Sequence, residues 1–306
     1  MVQVDVFTDR ALTGNSLAVF LDGRGLSTEQ MQTLAREMNL SETTFILPGD
    51  AVAERTRGAR VRIFTVQEEL PFAGHPTLGT AFVLRGPTGV PASSNEVRLD
   101  LNVGTVPVRF TEAPSQPVFG EMTQGDPEFG AIHDAEAIAR LTNLGVADFD
   151  DSAPIQTVST GLPFTMVALR SLTAVQKLRV DLDRAAEYLA RSGGKFLYFV
   201  CRETVDPKAR LHARMIFYNG DDPATGSAAG CCAAWMVAHG VAASDEQVLI
   251  EQGLEMQRPS RIFVRATKQE NRPDHRQNNR RDNQVANVRV GGNCVEVLRG
   301  EVTLAI

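Results

Sequence analysis

Two segments of this chain, Pro76–Leu84 and Thr225–Ala238, carry no charged residue on any face. A helix at a protein surface shows a polar stripe, so both are predicted to be buried helices. Neither reaches the roughly 20 apolar residues needed to cross a bilayer. Their small residues, Gly79, Ala81, Ala228, Ala229, Gly230 and Ala233, allow surrounding strands to approach closely. Elsewhere short apolar runs predict strands at Val2–Phe7, Ser16–Leu21, Thr43–Leu47, Arg60–Phe64, Glu96–Leu101, Val106–Thr111 and Val118–Met122. The theme resumes with strands at Gln156–Ser159, Pro163–Leu169, Phe196–Cys201 and Ala213–Phe217, then hairpin-like strands to Ile306. Amphipathic helices are expected at Ser27–Asn39, where Ser27 can cap the first turn, and at Asp134–Asn143 and Asp183–Arg191.

The two buried helices belong to a repeat. Arg62 to Leu84 reappears as Arg214 to Met236, an offset of 152 in a chain of 306 residues. In register, Arg62 matches Arg214, Glu69 matches Asp221, Pro71 matches Pro223, Gly74 matches Gly226, His75 matches Ser227 and Ala81 matches Ala233. Each copy reads as a β-rich run, an acidic residue, a proline-containing turn, a glycine and a buried helix. A duplicated α+β fold follows, with each half a sheet curled around a central helix and one site shared between the halves. The first half is placed at 1–115, completed by a C-terminal strand at 298–306, and the second at 116–297.

One segment departs from the pattern. Lys268–Gln284 has no aliphatic or aromatic residue, so it cannot bury enough apolar area to offset its ordering entropy, and a mobile polar insertion between two strands is expected. The alternative, a basic patch for a partner, rests on five Lys/Arg against three Asp/Glu. Composition adds exclusions. A 43% hydrophobic chain supports two cores, and a net charge of −6 with pI near 5.5 gives no electrostatic basis for binding nucleic acid or an anionic membrane. The first seven residues alternate like a strand and lack the apolar core of a signal peptide, so the cytoplasm is expected. Cys201, Cys231, Cys232 and Cys294 show no metal-ligand spacing.

The chemistry concentrates at the two helix starts. A helix N-terminus offers unpaired N–H groups and about half a positive charge, which favours a carboxylate or phosphate. Phe72–Thr77 and Asp222–Ala228 supply such donors, with Gly74 and Gly226 permitting close approach and His75, Thr225 and Ser227 adding side chains. Each turn alone reads as an ordinary cap, with Asp222 or Thr225 capping one helix and Pro76 at the first position of the other. The matched pair favours one anion site. His75 beside a positive dipole end suits a neutral imidazole, and Asp222 can cap the helix or hold a substrate amine. Glu42, at a helix-to-strand junction before an apolar run, is a costly inward carboxylate or a solvated strand start.

Gly14-Asn15, Leu40-Ser41-Glu42-Thr43, Glu69–Thr77 and Asp222–Ala228 resemble the diagnostic blocks of the PhzF-like phenazine-biosynthesis isomerase family, over about Val4 to Ile306. The resemblance implies the diaminopimelate epimerase-like fold: two pseudo-symmetric halves, each a barrel-like sheet around a buried helix, with the site in the cleft between. It implies Glu42, His75 and Asp222 as catalytic residues, and Asn15, Ser41, Gly74, Gly226 and Ser227 as substrate-binding ones. It further implies a homodimer and a cofactor-independent, metal-free isomerase moving a proton within a small cyclic amino/hydroxy carboxylic acid, as in conversion of trans-2,3-dihydro-3-hydroxyanthranilate. Related racemases use two cysteines, whereas these helix starts carry His75 and the Asp222 turn. Where the family commonly reads Met-Gly-Arg-Pro-Ser, this chain has Met256-Gln257-Arg258-Pro259-Ser260.

The alternatives are an epimerase or racemase of a small amino acid, and a non-catalytic anion-binding or protein-interaction module, which needs the anion site but no general base. Glu68, Asp221 and Arg214 read as turn and strand-edge charges, and His133, His212, His239 and His275 have no partner at a recognisable catalytic spacing. Replacing Lys268–Gln284 by a short Gly/Ser turn is expected to leave the melting temperature and activity nearly unchanged. Loss of soluble protein on that replacement would show the segment to be structural.

Overall fold

The computed structural model describes residues 1–49, 51–86, 95–112, 114, 117–218, 220–269 and 285–304. The first half opens with strands β1 (Val2–Val6) and β2 (Asn15–Phe20), helix α1 (Thr28–Met38) and strand β3 (Glu42–Leu47). Helix α2 (Ala51–Arg57), strands β4 (Ala59–Thr65) and β5 (Glu69–Leu70), and the buried helix α3 (Gly74–Arg85) follow. Strands β6 (Glu96–Leu101), β7 (Gly104–Thr111), β8 (Phe119–Thr123) and β9 (Glu128–Ile132) lead to helix α4 (Ala135–Ala139) and strands β10 (Gln156–Ser159) and β11 (Pro163–Leu169). Next come helices α5 (Leu172–Lys177) and α6 (Leu182–Ser192), strands β12 (Phe196–Cys201) and β13 (Leu211–Arg214), and the short pair β14 (Ile216–Phe217) and β15 (Gly220–Asp221). The second buried helix α7 (Gly226–Ala238) precedes β16 (Val248–Gln252), β17 (Ser260–Lys268) and β18 (Val285–Arg299).

Strands β1-β2-β3-β4-β6-β7-β8-β18 form a closed eight-stranded barrel, because β18 also pairs with β1. Helix α3 fills it, packing on β1, β2, β3, β6, β7, β8 and β18. From β18 the sheet runs on through β17, β16, β13, β12, β11 and β10 to β9, and α7 packs on β10, β11, β17 and β18. This is the diaminopimelate epimerase-like α+β architecture. The uncharged helix faces account for it: every residue of α7 from Gly226 to Val237 is buried. Helix α1 lies outside the barrel on β3 and β4, begun by a Ser27–Gln30 capping box and ended by Asn39 in the left-handed conformation.

The repeat is visible in the ladders. Phe64 faces Glu69 across β4–β5, and Ile216 faces Asp221 across β14–β15 at the same internal register. Arg62 grips Glu69 through Nε (2.9 Å) and Nη2 (2.6 Å), while Arg214 grips Asp221 through Nε (2.6 Å) and Nη2 (3.1 Å). The copies differ at one point. The run expected over Ala213–Phe217 is two strands, with Met215 the break between them.

The strand expected at 298–306 begins earlier and ends at Arg299. Its first part pairs with β17, its middle with β8, and its last residues with β1. Gly291 and Gly292 sit at the changeover, where added Cβ atoms would lie 2.7 Å from Gly120 O and 2.6 Å from the Phe7 ring. Strand β8, which a division after residue 115 assigns to the second half, hydrogen-bonds to β7 of the first. Lys268 closes β17 opposite Val285 and so is strand; of the polar insertion, 270–284 lies outside the described residues.

Gly79 shows how tightly α3 is held. A Cβ there would meet Leu17 Cδ2 at 2.7 Å and Val6 Cγ2 at 2.8 Å. Alanine in a helix normally gains about 1 kcal/mol over glycine, but overpacking a filled core costs about 1–3 kcal/mol. Gly79→Ala is therefore expected to lower the melting temperature, and calorimetry showing a stabilised variant would refute the account.

Candidate active site

Each element delivers one part of the site. The β2 start carries Asn15, Ser41 directly precedes β3 and Glu42 begins it, and the α3 start carries Gly74 and His75. The β15–α7 turn carries Asp222 and Thr225, and the α7 start carries Gly226 and Ser227. The two helix starts touch rather than face across an open gap. A Cβ on Gly74 would lie 2.4 Å from Gly226 C and Ser227 N, and one on Gly226 would lie 3.2 Å from Gly74 Cα. Only glycine permits this approach.

Both central helices begin without a side-chain cap, whereas α1, α4, α5 and α6 are capped by Ser27, Asp134, Ser171 and Asp181. The ordinary-cap alternative is thus not realised. Thr225 is in the capping position of α7, but its hydroxyl donates to Asp222 Oδ2 at 2.5 Å. Pro76 is the third residue of α3, not its first. First-turn N–H groups at both starts have no intrahelical partner.

Asp222 is the hub. Its Oδ1 accepts from Asn15 Nδ2 (2.8 Å) and Ser41 Oγ (2.8 Å). Asn15 directs its second amide proton to Ala224 O (2.9 Å), and His75 Nδ1 is a further contact at 3.2 Å. Glu42 Oε2 lies 3.6 Å from His75 Nδ1. That separation suits an ion pair, but burial pushes the imidazole down to about 3, with a main-chain contact from Ser16 acting the other way. His75 is therefore neutral at neutral pH. Burial, reinforced by the negative charge of Asp222, drives the Glu42 carboxyl well above its ordinary range. Burial likewise raises Asp222 to about 6, against the hydrogen bonds from Thr225, Ser41 and Asn15.

Glu42 Oε2 and His75 Nε2 are buried without a hydrogen-bond partner. A buried polar atom so left costs about 1–3 kcal/mol. Ser227, the residue in register with His75 in the repeat, is buried as well.

Sequence reading missed Gln252, which bonds to the Asp222 turn from β16, and Tyr198 of β12, whose hydroxyl donates to Gln252 Oε1. Their one signal was a glutamine ending an apolar run. It also missed the partners of His212, buried between Glu251 Oε1 (2.9 Å) and Glu255 Oε1 (2.8 Å). His133 meets Tyr188 and Thr157, and His239 meets Gln156, away from the helix starts; His275 lies outside the described residues. Glu68, read as a turn charge, binds Lys195 Nζ (2.8 Å) and the Tyr218 hydroxyl. Cys231 and Cys232 are buried within α7, where burial pushes the first thiol up to about 11 and the second higher still. A cavity of about 750 Å³ lies elsewhere, between α6, β12 and Tyr218.

The carboxyls, the imidazole and the two helix starts gather where α3, inside the closed barrel, meets α7 on the continuing sheet of a diaminopimelate epimerase-like fold. The phenazine biosynthesis-like family model matches residues 4–300, and the chain belongs to that family. It is 35% identical to trans-2,3-dihydro-3-hydroxyanthranilate isomerase of Pseudomonas chlororaphis, over 99% of each chain. Among solved structures it is similar to a predicted epimerase from Pseudomonas aeruginosa (37% identity, TM-score 0.80, 99% of each chain). It is also similar to a PhzF-family protein from Bacillus anthracis (25% identity, TM-score 0.82, 99% of this chain and 98% of that one). Among the described residues, no helix is long and apolar enough to cross a membrane.

A carboxyl raised from 3.8 to about 6 by folding stabilises the fold where it is protonated, below about pH 4, and that contribution is lost as pH rises through about 6. Glu42 shifts in the same direction. Asp222→Asn is therefore expected to gain stability relative to the parent between pH 4 and 7, by roughly 2–3 kcal/mol from the shift alone. Denaturant melts giving parallel pH curves would contradict the assignment.

Proposed function

We propose that this isomerase moves a proton between carbons of a small cyclic amino or hydroxy carboxylic acid similar to trans-2,3-dihydro-3-hydroxyanthranilate, with Glu42 taking and returning the proton. The carrying observation is Glu42 Oε2, a carboxyl oxygen buried without a partner 3.6 Å from His75. A general base with a raised pKa exchanges protons with carbon near neutral pH, where an ordinary carboxylate is too weak. The uncapped starts of α3 and α7 would take the substrate carboxylate, through N–H groups at Gly74, His75, Gly226 and Ser227. Asp222, ionised above about pH 6, would take the substrate ammonium. That cation would in turn favour the ionised, basic form of Glu42. Neutral His75 would hydrogen-bond the substrate through Nε2.

The same reading puts the protein in the cytoplasm as a homodimer acting on a small carboxylate. The thiol route of an epimerase gains no support, since Cys231 and Cys232 sit inside α7 with thiols pushed up by burial.

Glu42→Gln keeps size and removes the base. Turnover of trans-2,3-dihydro-3-hydroxyanthranilate should fall by about 10²–10⁴-fold, with binding of an unreactive analogue largely retained. Steady-state kinetics alongside calorimetric titration make the check. Full isomerase activity in Glu42→Gln, or its loss in Cys231→Ala, would end this mechanism.

A further inference from the structure

We propose that Gln252 is the positioning residue of the Asp222 turn: its side-chain amide orients the Thr225 hydroxyl so that the single hydroxyl proton points at the Asp222 carboxylate. This rests on the functional reading for its consequence, but not for its geometry.

Gln252 is fully buried at the end of β16. Its Nε2 donates to Asp222 O (2.7 Å) and to Thr225 Oγ1 (2.9 Å). Its Oε1 accepts from Thr225 N (3.2 Å) and Tyr198 Oη (3.0 Å). An amide has two protons and one carbonyl oxygen with two lone pairs, so the group is fully satisfied. Its orientation is also determined. A flipped amide would set its NH₂ against the Thr225 N–H and its oxygen against the Asp222 carbonyl, replacing two bonds by two repulsions. The Tyr198 hydroxyl, which can donate or accept, fits this orientation and donates to Oε1.

The consequence falls on Thr225. With Nε2 donating into one of its lone pairs, the hydroxyl proton is left to point at Asp222 Oδ2, 2.5 Å away. Tyr198, Gln252, Thr225 and Asp222 thus form one directed chain of donors. Asp222 also receives Asn15 and Ser41, and the charged or titratable groups around it are Glu42, neighbouring Asp221 and, through Asn15, His75. Gln252 holds the turn through its backbone and the Thr225 hydroxyl and makes no bond to the carboxylate itself, so it can aim that carboxylate at a substrate without touching one.

The test does not require turnover. Protein labelled with carbon-13 at the aspartate carboxyl is titrated by NMR, with the Asp222 signal assigned by its absence in Asp222→Asn. Removing an oriented donor from a carboxylate raises its pKa, so Gln252→Leu should move the Asp222 midpoint up by about one unit. Thr225→Val should do the same, and the double variant should add little to either single one, because both break one chain. If Gln252→Leu does not fold, Tyr198→Phe carries the test, with a smaller upward shift expected. A folded Gln252→Leu or Tyr198→Phe with an unmoved midpoint, or fully additive shifts, would overturn the proposal. In the kinetic arm the acid limb of kcat/KM should move with the midpoint; a shifted midpoint without a shifted limb would leave the chain standing and refute the role of Asp222 in turnover.

Discussion

Two helix starts meet backbone to backbone at Gly74 and Gly226, and most of the molecule is arranged to make that contact possible. Two positive dipole ends repel, and their free N–H groups are left without internal partners. Nothing in the helices compensates, since neither has a side-chain cap. The sheets hold them together by force of packing: α3 is sealed inside a closed barrel and α7 is buried along nearly its whole length. The resulting concentration of uncapped donors favours an anionic ligand, while the Asp222 carboxylate nearby favours a cationic group on the same ligand.

The same economy explains the titration behaviour. Glu42 and Asp222 share one dry region, so they cannot both ionise without mutual repulsion. Asp222 has three donors and Glu42 Oε2 has none, which separates their roles. The better-bonded carboxyl loses its proton first and remains an anchor. The poorly bonded one keeps it longer and is left as the group able to give or take a proton.

Much of this was legible in the sequence, for a physical reason. A repeated register must satisfy the same local geometry twice, so Arg62–Glu69 and Arg214–Asp221 announce one another, as do Gly74 and Gly226. Buried helices likewise declare themselves by lacking a polar face. Contacts made by single residues across long stretches of chain do not. Gln252 reaches back to the Asp222 turn, His212 to two glutamates on a later strand and loop, and Arg258 to Asp5 and the Gly14 carbonyl, with no periodicity to mark any of them. Strand β9 escaped because it is an exposed edge without alternation. The resemblance of motifs carried Glu42 further than its own chemistry could, since an inward carboxylate and a solvated one read alike in sequence.

Strand β18 has a bearing on synthesis. It follows every other strand in the chain, yet it is the stave that closes the first barrel between β8 and β1. As the polypeptide leaves the ribosome, the first half must wait with two unpaired strand edges while the whole of the second half is made. Closure of the barrel and joining of the two halves then become one event, completed by the same residues. The duplication visible in the chain is thus not a pair of modules that fold in turn, but a single cooperative body whose oldest part is finished last.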